Sequence, residues 1–257
     1  MEKYLSIINR RTFGVLAISL VSTLLIYHFT FTYDLDLTLI NISIVFPLVF
    51  TIRSAFKRRD RALEFLSKFR SGLVSVDYAF LTIKKLSTED RNYIHQQILT
   101  TSKALMDFLN DSLADIDQVR AEVSKINQFI INKSDLIKSS NRLKINNLLN
   151  NVHMGIETVA SIKQYHTPTS IRAYCLIFIY LYPVMCTPSI YYKLQRGMHE
   201  GNLFLLIFLS LTSSFILISL FNVQEQLENP FDHQGLDDIQ AESFALKEQP
   251  LISPKTL

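Results

Sequence analysis

The stretch QEQLENPFDHQGLDD, residues 224–238, packs amides, carboxylates, a Pro-Phe pair and a glycine into fifteen residues. Calcium takes six to eight oxygens from carboxylates, amide carbonyls and backbone carbonyls. Gln226, Asn229, Asp232, Asp237 and Asp238 offer such groups, and Gly235 permits the tight turn that would converge them. The spacing is not that of an EF-hand, which needs acidic positions 1, 3 and 5 and a glutamate at 12. A solvated acidic loop, or charge pairing with a basic region elsewhere, accounts for the same residues.

A second group is apolar. Ile42, Phe46 and Phe50 recur at i, i+4 and i+8, so they share one face of a helix and drift about 40° per step. Such a stripe can pack or face lipid. It can also form an apolar ring when several copies surround an axis, and rings of this kind gate ions by dewetting. Pro47 removes a backbone hydrogen bond within this helix and favours a kink, which transmembrane helices tolerate better than soluble ones. The stripe runs into RSAFKRRDRALEFLSKFR, residues 53–70, where seven basic residues face Asp60 and Glu64. This is either a positive anchor with snorkelling arms or a cationic funnel that concentrates anions at a pore mouth.

The elements that position these groups are read from charge and hydropathy. Four stretches lack Asp, Glu, Lys and Arg: residues 12–33, 37–52, 173–192 and 201–224. About 20 mostly apolar residues cross a bilayer as a helix. Three stretches meet that length, and the second must continue past Arg53. The first run is too long for a signal-peptide core and precedes YDLD without a small-residue cleavage site, so it reads as a retained span. Lys3, Arg10 and Arg11 precede span 1, and Arg53, Lys57, Arg58, Arg59 and Arg61 follow span 2, whereas the loop between them carries Asp34 and Asp36. The positive-inside rule then predicts cytoplasmic termini and a cytoplasmic 53–172 region, against the weak opposition of Lys193 and Arg196. The predicted division is 1–52 (N-terminal segment, spans 1 and 2), 53–172 (cytosolic, helical), 173–224 (spans 3 and 4) and 225–257 (acidic, cytosolic). Residues 53–172 carry 19 Lys/Arg against 12 Asp/Glu, and residues 225–257 carry seven acids against two lysines. The two regions therefore face different tasks.

No proline falls between Pro47 and Pro168, and apolar residues such as Ile94, Ile98, Leu105 and Phe108 keep helical spacing. Ser87 and Asp90 suggest a capping box. Breaks are expected at DSLAD (111–115) and INKSD (131–135), with Ser134 as an N-cap, giving about three long helices between spans 2 and 3. Cys175 and Cys186, eleven residues apart in one helical run, would lie roughly 16 Å apart, too far for a disulfide. The six histidines show no metal-ligand spacing. No nucleotide-binding loop, zinc cluster or nucleophile–base arrangement is present in the sequence, so neither an enzyme nor a nucleic-acid partner is expected.

Four spans, a large helical insert after span 2 and EQLENPF (225–231) after span 4 together resemble the bestrophins. SAFKRRDRAL (54–63) is similar to the family's basic-aromatic stretch after span 2, A-Y-x-R-W-W-x-x-R, with Ala55, Phe56 and Arg58 matching and Arg59 and Asp60 replacing the tryptophans. TPTSIRAY (167–174) is a weaker match, opening span 3. The resemblance implies an all-α integral membrane protein with four transmembrane helices and a long helical cytosolic region, assembled as a homopentameric channel around span 2. It places Ile42, Phe46 and Phe50 in the pore neck and Arg53, Lys57 and Arg58 at the cytoplasmic mouth. It implies chloride or similar monovalent anions as the cargo, membrane lipid as surroundings and calcium as the one cofactor to consider. Gln226, Asn229 and Asp237 match the family's calcium ligands, while Gln234 replaces an acidic ligand and Asp232 the usual glycine. Ending at residue 257, the chain is expected to lack the long regulatory tail of animal members. A cation-conducting homologue and a pore-less membrane-anchored helical scaffold are the competing expectations.

Overall fold

The computed structural model describes residues 7–111, 113–197, 202–233, 235 and 237–247. Its elements are helical: α1 (Arg10–Phe29), α2 (Leu37–Leu81), α3 (Thr88–Asn110), α4 (Ile116–Asn132), α5 (Ser139–Gln164), α6 (Thr169–Arg196), α7 (Leu203–Glu228) and a short 3-10 turn at Ala241–Phe244. Among the described residues there is no β-strand. The chain divides into two compact units, one of residues 1–59 and 166–237 and one of residues 60–165 and 238–257.

The first unit holds the apolar helices. Stretches in α1, α2, α6 and α7 are long and apolar enough to cross a membrane. The third of them ends a longer stretch, Ser139–Arg196, which a break at residues 165–168 divides into polar α5 and apolar α6. Asn9 starts α1 with a reciprocal cap: its side chain accepts from Thr12 N at 3.1 Å, and its own N–H reaches Thr12 Oγ1 at 3.2 Å. Asn222 of α7 binds the same corner, donating to Thr12 Oγ1 at 2.9 Å and to the Ile7 carbonyl at 2.7 Å. Arg11 pairs with Glu225 at 2.7 Å. Val15, Ile44, Leu48, Ile179, Ile218 and Phe221 form one buried core drawn from all four helices. Deeper between α1, α6 and α7, Ser19 Oγ lies 2.8 Å from Ser210 Oγ and 3.2 Å from Ser214 Oγ. Thr187 Oγ1 reaches Ser210 Oγ at 3.0 Å and donates to the Pro183 carbonyl at 2.6 Å. Buried hydroxyls of this kind hold helices together where apolar burial cannot, because lipid is as apolar as the core. Both cysteines are buried and free.

In the second unit, α2 buries Leu66, Phe69, Leu73, Val76 and Phe80. The interval of three or four residues marks a single inward face. Its companions α3, α4 and α5 bury Ile98 and Leu105, Val119 and Val123, and Leu149 and Val152 respectively. Two glycines let α2 and α5 approach closely. A Cβ at Gly155 would fall 2.7 Å from Phe69 Cβ and 3.0 Å from the Phe65 carbonyl, and one at Gly72 would fall 2.9 Å from Val152 Cγ2.

The helices between spans 2 and 3 follow the expected breaks at 111–115 and 131–135. Ser87 caps α3 by accepting from Asp90 N at 3.0 Å. The Ser87 backbone bonds in turn to the Asp90 carboxylate, the return contact of a box. Ser134 is not an N-cap. It lies in a turn, and α5 starts later, at Ser139. Here Leu136 N and Ile137 N bond back to the Lys133 carbonyl, and Ile137 is buried. That tight turn uses up the residues that Ser134 would otherwise have launched into a helix.

Candidate functional site

The outer face of α2 carries the site. Successive helix residues turn about 100°, so Ile42, Arg53, Phe46, Lys57 and Phe50 fall at roughly 0, 20, 40, 60 and 80° around the axis. They form one continuous line, apolar first and cationic after. Ile44, Leu48, Thr51 and Ala55 fall on the opposite side, about 180–240° around, and are buried. Ile42, Phe46 and Phe50 are 53%, 60% and 56% exposed. Three large apolar side chains turned outward from one chain call for something apolar to cover them or an axis to share. Phe46 and Phe50 meet edge to face, with ring centres 5.0 Å apart and planes at 75°. The three residues line one side of a cleft of ≈ 820 Å³, and Thr167, Pro168 and Tyr174 line the other.

Arg53 and Lys57 are exposed below the aromatic stripe. Arg58 is not with them. It lies about 100° further round than Lys57, is half-buried and sits within the field of the Glu228 carboxylate. The structure therefore brings Ile42, Phe46, Phe50, Arg53 and Lys57 onto one line and turns Arg58 inward.

Glu228 is a residue that sequence reading missed. It is 3% exposed, at the last position of α7. Both its oxygens lie 2.7 Å from Thr167 Oγ1, and one also accepts the Thr167 backbone N–H. Gln224 Nε2 donates at 2.9 Å, and Arg172 Nη1 stands 3.9 Å away. The two motifs EQLENPF and TPTSIRAY thus meet at Glu228. No local pattern could have shown this, since Glu228 and Thr167 are 61 residues apart.

The segment after α7 carries the candidate calcium ligands. Gln226 lies in the last turn of α7, and Asn229 is the C-cap. The Asn229 side-chain oxygen accepts from Phe231 N at 3.2 Å, folding Asn-Pro-Phe into a tight turn over the buried Phe231 ring. Asp237 is exposed, and its backbone carbonyl accepts from Arg59 Nε at 2.7 Å. Among the described residues no three His, Cys, Asp or Glu side chains gather around a metal-sized space. Gln234 lies outside the described residues. A calcium site needs converging oxygens. Here one amide oxygen is committed to a turn and one carbonyl to a guanidinium, which repels a second cation.

No protein-family model matches the chain, and no curated sequence matches it. Solved structures do. A variant of a bacterial bestrophin homologue from Klebsiella pneumoniae superposes with a TM-score of 0.75 at 14% identity, covering 91% of this chain and 93% of that one. Another structure of that homologue, phased with zinc, gives 0.71 at 14% identity over the same shares. A structure described only as a membrane protein gives 0.73 at 13% identity, covering 92% and 95%. Fold is conserved far beyond such identities, and these likenesses speak for architecture alone. With its four apolar helices, the chain is a multi-pass integral membrane protein with the bestrophin fold.

Proposed function

We propose that this protein is an ion channel. Copies of the chain surround an axis lined by α2, as a homopentamer, with Ile42, Phe46 and Phe50 as the neck. The observation that carries this reading is the outward apolar stripe on α2, within a chain that has the bestrophin fold. A ring of such side chains holds no fixed charge and resists wetting, so it sets the resistance of the path. The cargo is chloride or a similar monovalent anion. Aromatic ring edges are electropositive and favour a partly dehydrated anion. Arg53 and Lys57, exposed on the same line as the neck, raise the local anion concentration at one mouth. Arg58 belongs to the internal charge cluster and not to the mouth. The termini and residues 53–172 lie on the cytoplasmic side, as the basic flanks require. Calcium is not required for conduction in this reading: of the candidate ligands, the Asn229 side-chain oxygen accepts from Phe231 N and the Asp237 carbonyl accepts from Arg59.

Planar-bilayer recording of the purified protein across a KCl gradient tests the proposal. A reversal potential near the chloride equilibrium value is expected. A value near the potassium equilibrium potential would make it a cation channel. The absence of both current and pentamers would make it a membrane-anchored helical scaffold.

A further inference from the structure

We infer that Glu228 is a positioning residue for the neck: it sets the place of the wall opposite Ile42, Phe46 and Phe50, and so the channel's resting open probability. The inference rests on the channel reading above. Thr167 and Pro168 lead into α6 and line the cleft facing the neck stripe. Pro168 has no N–H to anchor this segment. Thr167 directs both its N–H and its O–H to the Glu228 carboxylate. The segment's place therefore follows from where the end of α7 stands.

The carboxylate is well suited to that task. It accepts from Thr167 and Gln224, with the Arg172 guanidinium beyond, so every close partner is a donor. Hydrogen bonds to a carboxylate are short and directional, so it holds its partners in a fixed geometry. Burying such a charge costs desolvation energy that an apolar residue would avoid, so stability alone does not explain it. Directly after Glu228 comes the Asn229–Pro230–Phe231 turn. Any force on that turn reaches the cleft wall through two residues, Glu228 and Thr167.

The test is a double-mutant cycle read as gating. Wild type, Glu228→Gln, Thr167→Val and the double variant are compared by single-channel recording and by thermal midpoint, with Thr167→Ser as the conservative control. Glu228→Gln keeps size but turns an amide N–H₂ toward donors. Thr167→Val keeps shape but loses the hydroxyl. Each single change is expected to shift resting open probability about tenfold, the scale of a charge-assisted hydrogen bond. The double variant is expected to add little to either, because both break one link. Thr167→Ser is expected to gate as wild type. Additive shifts in the double variant would overturn the inference. So would altered thermal midpoints with unchanged open probability, which would leave Glu228 a structural role only. Wild-type currents matched by every variant would overturn the coupling and leave the channel standing. No current from wild-type pentamers would overturn both.

Discussion

Lys57 and Arg58 are neighbours in sequence and face different surroundings. Lys57 is exposed beneath Phe50, whereas Arg58 is half-buried in the field of Glu228. Around a helix that single step is about 100°, enough to leave one cation exposed and turn the next one inward.

The two cations should therefore fail differently. Replacing Arg53 and Lys57 together by glutamine is expected to move the reversal potential toward the cation value, with the fold intact. Replacing Arg58 by glutamine is expected to lower stability, because it removes the positive charge beside the buried Glu228 carboxylate, with selectivity unchanged. Reversal potentials and thermal midpoints of the two variants separate these outcomes. Selectivity that follows Arg58 instead would refute the assignment.

The neck itself is tested by removing its bulk. Ile42→Ala, Phe46→Ala and Phe50→Ala combined are expected to raise resting conductance about tenfold, since a wider and less apolar constriction stays wetted. Unchanged currents from a variant that still assembles would sink the neck assignment.

Calcium provides an independent check. A ligand bound at a hundred times its Kd stabilises the folded state by about 2.7 kcal/mol, readily visible in a melt. Here the thermal midpoint and the current are expected to be the same in excess chelator and in millimolar calcium. A calcium-dependent rise in either would show that the post-α7 segment rearranges to take the ion.

Gly155 tests helix packing away from the neck. A methyl group there meets the backbone of Phe69 and the Phe65 carbonyl, and neither can move without shifting α2. Gly155→Ala should lower stability by about 1–3 kcal/mol through overpacking, despite a helix-propensity gain of up to about 1 kcal/mol. A raised thermal midpoint would mean that the two helices do not approach so closely.

Acid should weaken the second unit. Asp90 is held below the usual carboxylate range chiefly by its hydrogen bond with Lys133, and Glu122 chiefly by its hydrogen bond with Lys125. A carboxylate whose folded pKa is depressed contributes stability above its unfolded value, near 4, and loses it as pH falls through the folded value. The gap in thermal midpoint between wild type and Asp90→Asn should therefore be widest near pH 6 and close as pH falls below about 4. A gap independent of pH would contradict the pairing.

Much of the architecture was legible because its causes are local. The four apolar stretches announce themselves by missing charge, and the shortness of the second required that span 2 run on past Arg53, in fact to Leu81. That Ile42, Phe46 and Phe50 share one face follows from period alone, whereas their outward orientation is a fact of packing. Ser134 misled because a capping residue is informative only if the chain enters a helix directly, and here it first makes a tight turn at Lys133. The resemblance grouped Arg58 with Arg53 and Lys57, and the half-buried place of Arg58 beside α7 is a fact of packing that the sequence does not display. Glu228 could not be found, since its meaning lies in a contact with Thr167 that only tertiary packing creates.

The hydroxyl contact between Ser19 and Ser210 spans 191 positions of the chain. At about 5–20 residues per second, a ribosome needs roughly 10–40 s to make the intervening sequence. During that interval the first helix sits in the bilayer without its partners from α6 and α7. Residues 60–165, by contrast, are contiguous and supply most of their unit. The later half of the membrane core is therefore inserted last, and biogenesis of this protein is exposed to quality control for as long as α1 waits.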